Sequence, residues 1–113
     1  MALTQEQRAE VIARLEAFCA DRVPAHARAK VRLAFRINGS DVVLLEKRPR
    51  FRTNIWGDTE IAKFKYVAIR REWRLYCKYS DLKWHGYENL PASRTFEALL
   101  EEVDRDPTHI FWG

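Results

Sequence analysis

Hydrophobic residues recur with helical spacing near both ends of the chain. The first apolar stripe predicts a helix over residues 4–22, which Thr4 and Gln7 can begin as a capping box. The second stripe predicts a helix over residues 93–104, which ends before Pro107. The first stripe repeats at i, i+1, i+4, i+7 and i+8 and the second at i, i+3, i+4 and i+7, so each helix is expected to bury one face against a shared core.

Between the two helices, apolar and polar residues alternate as they do in half-buried strands. Strands are predicted over residues 30–38, 42–48, 61–70 and 73–79, followed by a short edge strand or turn over residues 81–87. Asn38 and Gly39 favour a hairpin turn between the first two strands. The second strand is apolar on both faces, which is typical of an inner position in a sheet. A tight turn at Arg71 and Glu72 is expected to connect the third strand to the fourth.

Two segments show no periodicity. Residues 49–60 are predicted to form a loop that carries the aromatic residues Phe51 and Trp56. The chain ends in Ile110, Phe111 and Trp112. Three large apolar side chains at a chain end predict that the tail docks against the body, with one more strand as a form of that docking.

Together these elements predict a single α+β domain over residues 1–113. An antiparallel meander sheet of four to five strands would have an N-terminal and a C-terminal helix packed on one of its faces. No apolar run approaches the roughly 18 residues that cross a bilayer, and the first ten residues lack the apolar centre of a signal peptide, so a cytoplasmic location is expected. Cys19 and Cys77 fall at apolar positions and are expected to be buried thiols.

The net charge of +4 conceals an asymmetry along the chain. Residues 28–83 contain 15 Lys and Arg against 6 Asp and Glu, a net charge of +9. Residues 84–113 carry a net charge of −4. The positive charge is therefore concentrated in the part of the chain that is predicted to form the sheet.

If the alternation holds, one sheet face is free of helices and collects basic side chains. Its candidate polyanion-binding residues are Arg32, Arg36, Lys63, Lys65, Arg74, Tyr76 and Lys78. Lys and Arg bind phosphate backbones with release of counterions, and a tyrosine ring can stack on a base. The alternative is a solvated face whose charges discourage edge-to-edge aggregation. A slip of one residue in register would move every one of these side chains to the opposite face.

A second candidate cluster combines acidic, basic and aromatic residues. Its members are Glu46, Arg48, Asp81, Trp84, His85 and Tyr87. Glu46 is expected to face the basic side of the sheet and to pair with Arg32, Lys63 or Lys65. If Glu46, Asp81 and His85 converge, they could serve a small hydrolytic enzyme as acid, base or metal ligand. The alternative is structural, with Glu46 in an ion pair and His85 as a packing residue.

No dinucleotide fingerprint, phosphate loop or metal-ligand spacing occurs in the sequence, so neither a cofactor nor a metal is expected. A non-enzymatic binding module for nucleic acid or another polyanion is the first hypothesis. A protein-interaction subunit or homodimer is the second, with exposed aromatic residues, especially Trp56 and Trp112, as anchors. The small hydrolytic enzyme is the third, and none of the three involves a membrane.

Several short motifs occur in a characteristic order. They are Glu46-Lys47-Arg48-Pro49, Ile61-Ala62-Lys63-Phe64-Lys65-Tyr66, Trp73-Arg74-Leu75-Tyr76, Asp81-Leu82-Lys83-Trp84-His85-Gly86-Tyr87, and Asp106-Pro107 with a closing Phe111-Trp112-Gly113. From about residue 28 to the C-terminus, the chain resembles a bacterial family of uncharacterised proteins, domain-of-unknown-function family 3024. The resemblance implies a bacterial, intracellular, single-domain protein and implies no mechanism.

Overall fold

The computed structural model describes residues 2–50 and 55–113, so residues 51–54 of the predicted loop, Phe51 among them, lie outside the described residues. The helices are α1 (Gln5–Arg22) and α2 (Phe96–Arg105). The strands are β1 (Arg32–Asn38), β2 (Asp41–Pro49), β3 (Trp56–Val67), β4 (Glu72–Lys78), β5 (Trp84–Gly86) and β6 (Ala92–Ser93). All pairs are antiparallel in the order β1-β2-β3-β4-β5, and β6 also pairs with β4. The predicted α+β meander is confirmed.

Both helices cover the same face of the sheet. Val11 and Leu15 of α1 and Leu99 of α2 are buried against the strands. Phe64 of β3, which is fully buried, contacts Phe96 of α2 with ring centroids 4.8 Å apart. The core therefore lies between the helices and one sheet face, and the opposite face is left to solvent.

Helix α1 begins where its sequence signal predicts. The Thr4 side chain accepts from the Gln7 backbone N–H at 3.1 Å, and the Gln7 side chain accepts from the Thr4 N–H at 3.0 Å. Helix α2 begins three residues later than predicted, because the Thr95 hydroxyl rather than Ser93 accepts the capping bond from Ala98.

Strand β3 differs most from the sequence prediction. Its first five residues were expected to be loop, but they pair with β2, with Lys47 opposite Asp58. The pairing shifts between Leu44 and Leu45, so that Ile61 is an extra residue in β3, a β-bulge. At its other end β3 stops at Val67, and a 3₁₀ turn leads into β4 in place of the predicted two-residue turn.

The C-terminal tail docks without forming a strand. Asp106 ends α2 in the left-handed conformation, with φ of 45°. Its carboxylate accepts from the backbone N–H of Phe111 at 3.1 Å and of Trp112 at 2.8 Å. The Trp112 indole N–H donates to the carbonyl of Val103 at 2.7 Å. These bonds explain why Asp106 precedes the aromatic tail at this spacing.

Both thiols occupy packing positions. Cys77 is buried in the core, and Cys19 is half-buried and packs against the core. Both are free cysteines. Burial raises the pKa of the Cys19 thiol to about 11 and also raises the pKa of Cys77. Neither helix in the described part of the chain is both long and apolar enough to cross a membrane.

Candidate functional site

The sheet face opposite the helices carries the predicted basic residues. Arg36 lies opposite Val43, Val43 opposite Lys63, and Lys63 opposite Tyr76, so these side chains form one row across four strands. In the next row, Lys65 lies opposite Arg74. The predicted set Arg32, Arg36, Lys63, Lys65, Arg74, Tyr76 and Lys78 shares this face, which we call the outer face.

The bulge at Ile61 brings Glu60 onto the outer face. In an unbroken strand Glu60 would share the face of the buried Ala62, but the extra residue reverses the alternation. The Glu60 carboxylate accepts from Arg36 at 2.8 Å and also pairs with the ammonium group of Lys78. Glu60 thus links β1 to β4 across the middle of the face.

Other acidic side chains of the outer face pair with neighbouring cations. Lys47 is 3.4 Å from Asp58, Lys63 is 3.7 Å from Asp41, and Arg74 is 3.2 Å from Glu72. Among the described residues, the face carries seven cations, including Lys47, and four acids, so its net charge stays positive. Arg32 and Lys65 form no ion pair with any acid that the structure describes.

Aromatic rings alternate with these cations. The Arg32 guanidinium lies 4.4 Å from the Trp56 ring centroid, and the Lys78 ammonium lies 4.9 Å from that of Trp84. A third pair, Lys63 with the Tyr76 ring, is at 5.7 Å. Each distance is within the range of a cation–π contact.

Sequence reasoning did not assign Trp56 and Trp84 to this face. Trp56 lies in the segment that was predicted to be loop. Trp84 was assigned to the second cluster, whereas the β4–β5 pairing sets it opposite Lys78 on the outer face. Trp84 and Tyr87 are three residues apart, a spacing that places two side chains on opposite faces of a strand. This spacing is the sequence signal that could have assigned Trp84 and Tyr87 to different sites.

The prediction that Glu46 faces the basic side and pairs with Arg32, Lys63 or Lys65 is wrong. Strand β2 alternates regularly, so Glu46 shares the helix-side face with Leu44, while Leu45 and Lys47 point to the outer face. Its carboxylate accepts from the Arg48 guanidinium at 2.7 Å. Because Val43 and Leu45 are as apolar as their neighbours, the sequence of β2 did not reveal which of its faces is the outer one.

The other members of the second cluster lie elsewhere. His85 Nε2 is 2.8 Å from an Asp81 carboxylate oxygen, and the His85 ring stacks on Tyr79 with centroids 4.1 Å apart. The Lys83 backbone N–H and, secondly, the His85 bond lower the pKa of Asp81. Strands β3 and β4 separate Glu46 from this pair, so the three predicted hydrolytic residues do not converge.

Tyr87 belongs to a buried polar network. Its hydroxyl donates to Glu102 at 2.7 Å, and the Asn89 amide donates to the same oxygen at 2.7 Å. The Tyr87 bond is the largest cause that lowers the pKa of Glu102, which is otherwise raised by burial. Sequence reasoning missed Glu102, because a single acid on the buried stripe of a helix resembles one on its exposed face.

The aromatic anchors of the protein-interaction hypothesis are half-buried rather than fully exposed. Trp56 is half-buried, and Trp112 is packed between Phe18 and the Arg22 guanidinium, which lies 4.0 Å from its ring centroid. The large hydrophobic residues that are exposed in the described chain are Ile55, Ile69, Tyr79, Leu82 and Ile110.

Within the described residues, no group of three or more His, Cys, Asp and Glu side chains is arranged to hold a metal ion. The family model described as Domain of unknown function (DUF3024) matches residues 3–113. The chain belongs to the DUF3024 family. The match extends the resemblance seen in the sequence to include α1. No curated protein and no solved structure is significantly similar to this DUF3024 chain, so its function has to be inferred from the geometry of the outer face.

Proposed function

We propose that the outer face binds the sugar–phosphate backbone of nucleic acid. The observation that carries this proposal is the interleaving of cations and aromatic rings on one solvent-facing sheet surface, with Arg32 beside Trp56 and Lys78 beside Trp84. Phosphates are bound by Lys and Arg, and bases stack on aromatic rings without regard to sequence. A surface that carries both groups on adjacent strands can hold both parts of a nucleotide.

The ion pairs on the outer face do not prevent phosphate binding. Arg36 is 56% exposed in its pair with Glu60, and Arg74 is 39% exposed in its pair with Glu72. Exposed pairs of this kind contribute only about 0–1 kcal/mol to stability, so a phosphate can replace the carboxylate at low cost. Lys65, which has no acidic partner among the described residues, is available directly.

The test is fluorescence anisotropy of labelled single- and double-stranded DNA and RNA at 50 and 200 mM salt. For a single strand, contacts with about four phosphates would weaken binding roughly 50-fold between these two concentrations. The double variant Arg32→Glu/Lys65→Glu is expected to lose most of the affinity at low salt. Circular dichroism and urea unfolding should show that its fold is retained, since both residues are exposed.

Arg8→Glu provides a matched control for Lys65→Glu. Arg8 is exposed on α1, on the opposite side of the sheet, and the substitution changes the net charge equally. Arg8→Glu should leave affinity nearly unchanged, whereas Lys65→Glu should lower it severalfold. Absence of binding at low salt, or equal losses in the two variants, would refute the proposal.

A second candidate function is protein binding through an apolar patch. Tyr79, Leu82 and Ile110 are exposed and line one pocket of about 470 Å³ that reaches Phe111. Exposed apolar side chains gathered around one concavity are typical of an interaction site. This function predicts a dimer or complex that survives 500 mM salt in light scattering and is lost in Leu82→Ser. A monomer at high protein concentration would exclude the homodimer.

A further inference from the structure

A concave site lies at one end of the outer face. The pocket has a volume of about 470 Å³ and is lined by Arg36, Asp41, Val43, Lys63 and Trp84, with Ile37 and Asn38 at the end of β1. It is large enough for one nucleotide. Strands β1, β2, β3 and β5 each contribute to it, so its shape is set by the sheet.

The walls of the pocket differ in chemistry. Trp84 presents an indole ring to the pocket, and the Lys78 ammonium group, which contacts that ring, adds positive charge nearby. Arg36 and Lys63 provide cations at the edge, where a phosphate can be bound. An aromatic ring beside two cations suits a flat base that is still attached to its phosphate.

Asp41 adds an acceptor whose bonding capacity is not met. Its Oδ1 atom is buried and accepts no hydrogen bond within the described chain, although the side chain as a whole is 34% exposed, and its Oδ2 atom is 3.7 Å from the Lys63 ammonium nitrogen. Because Oδ1 has no exposed surface as the side chain stands, a ligand reaches both oxygens only after the side chain rotates, and a donor then satisfies the unpaired acceptor. The terminal torsion of an aspartate side chain is broad, which allows a small rotation to present both oxygens to a ligand.

Guanine is the base whose Watson–Crick edge carries two adjacent donors, N1–H and the 2-amino group. Adenine and cytosine each combine one amino donor with an acceptor, and thymine and uracil flank their single donor with two carbonyl oxygens. We propose that this pocket takes an unpaired guanine of a single-stranded nucleic acid, with Trp84 stacked on the base and Asp41 accepting from its edge. The inference rests on the proposed function of the outer face.

The experiment measures anisotropy of a labelled single-stranded dT8 in which one central base is thymine, guanine, hypoxanthine, adenine or cytosine. Hypoxanthine keeps N1–H but lacks the 2-amino group. The guanine oligonucleotide should bind roughly tenfold more tightly than dT8, which is the usual gain from a good bidentate contact. Hypoxanthine should lose most of that gain. A blunt duplex of the guanine sequence should show no guanine preference, because its edge is already paired.

Two variants assign the preference to the pocket. Asp41→Asn should abolish the guanine preference without lowering the affinity for dT8, since it removes a negative charge. Asp58→Asn is the control, because Asp58 pairs with Lys47 on the same face and lies outside the pocket. It removes the same charge and should keep the guanine preference. Trp84→Leu should weaken the binding of all five oligonucleotides, because it removes the ring on which a base would stack.

Each outcome distinguishes the two proposals. Equal binding of all five oligonucleotides, or a guanine preference that survives Asp41→Asn, overturns the guanine pocket and leaves backbone binding intact. Absence of binding to every oligonucleotide at low salt overturns both. Loss of the preference in Asp58→Asn as well would show that the charge of the outer face, and not Asp41, sets it.

Discussion

Glu60 is the acidic residue that most restrains the positive field of the outer face, because one carboxylate holds both Arg36 and Lys78. The Glu60→Gln substitution keeps the shape of the side chain and its ability to accept a hydrogen bond. It removes the negative charge and releases two cations from their shared carboxylate. If the outer face binds phosphates, this substitution is expected to increase affinity for nucleic acid.

The size of the gain follows from Coulomb's law. A carboxylate about 6 Å from a bound phosphate repels it by about 0.7 kcal/mol in water. Removal of that repulsion corresponds to roughly threefold tighter binding for each phosphate at that distance. The gain should shrink as salt rises toward 200 mM, because the Debye length then falls below about 10 Å. The loss of the two ion pairs should cost at most about 2 kcal/mol of stability.

Glu46→Gln is the matched control for this prediction. Glu46 is also part of an ion pair on the central sheet and is about as exposed as Glu60, at 20% against 28% of its side chain. It lies on the helix-side face, so its neutralisation changes the net charge equally without changing the outer face. Anisotropy with a mixed-sequence single strand at 50 mM salt should show tighter binding only for Glu60→Gln. Equal gains in both variants, or no gain for Glu60→Gln, would refute the reasoning.

Three further predictions concern stability and thiol chemistry. Asp106→Asn should lower the free energy of unfolding in urea by about 2 kcal/mol, because an amide can accept only one of the two backbone hydrogen bonds that the charged carboxylate accepts. The control Asp104→Asn, at the exposed surface, should cost under about 1 kcal/mol. Equal costs in the two variants would contradict the role of the tail bonds. Glu102→Gln should destabilise the protein by about 2 kcal/mol at neutral pH. Because folding lowers the pKa of Glu102, its contribution to the free energy of unfolding is fully present above the ordinary carboxyl pKa and is lost as the pH falls through the lowered pKa of the folded state. A stability difference between Glu102→Gln and the unmodified protein that does not change with pH would contradict this reasoning. Cys19, whose pKa is raised to about 11, and Cys77 should react with a disulfide reagent far more slowly in the native than in the unfolded protein, and labelling at the unfolded rate would contradict their packing role.

Local signals in the sequence were sufficient to place the basic residues of the outer face on one side of the sheet. The alternation of Arg32 and Arg36 in β1, of Lys63 and Lys65 in β3, and of the basic residues in β4 each indicates a face without reference to the others. A hairpin meander brings these faces together, since paired residues on neighbouring strands point the same way. The capping box of α1 is local in the same sense, because both of its side-chain bonds join Thr4 and Gln7.

The acidic part of the outer face depends on an interaction that is not local. Ile61 and Ala62 are consecutive and both buried, which is the structural mark of the bulge in β3. An apolar pair of this kind is equally compatible with a regular strand, so the reversal that brings Glu60 onto the face is apparent only from the pairing with β2. The position of Trp84 likewise depends on the turn that returns β5 to β4.

Nucleic-acid binding by the outer face is tested most directly by a map of the residues that a bound nucleic acid contacts. Two-dimensional ¹H–¹⁵N NMR spectra should be recorded while a short mixed-sequence single strand is added at low salt. If the outer face binds nucleic acid, shift changes should be concentrated on the outer-face strands around Lys63, Lys65 and Arg74 and should include the indole N–H of Trp84, while the signals of α1 and α2 stay largely unchanged. Shift changes confined to the helices, or none at all at saturating oligonucleotide, would contradict nucleic-acid binding by the outer face.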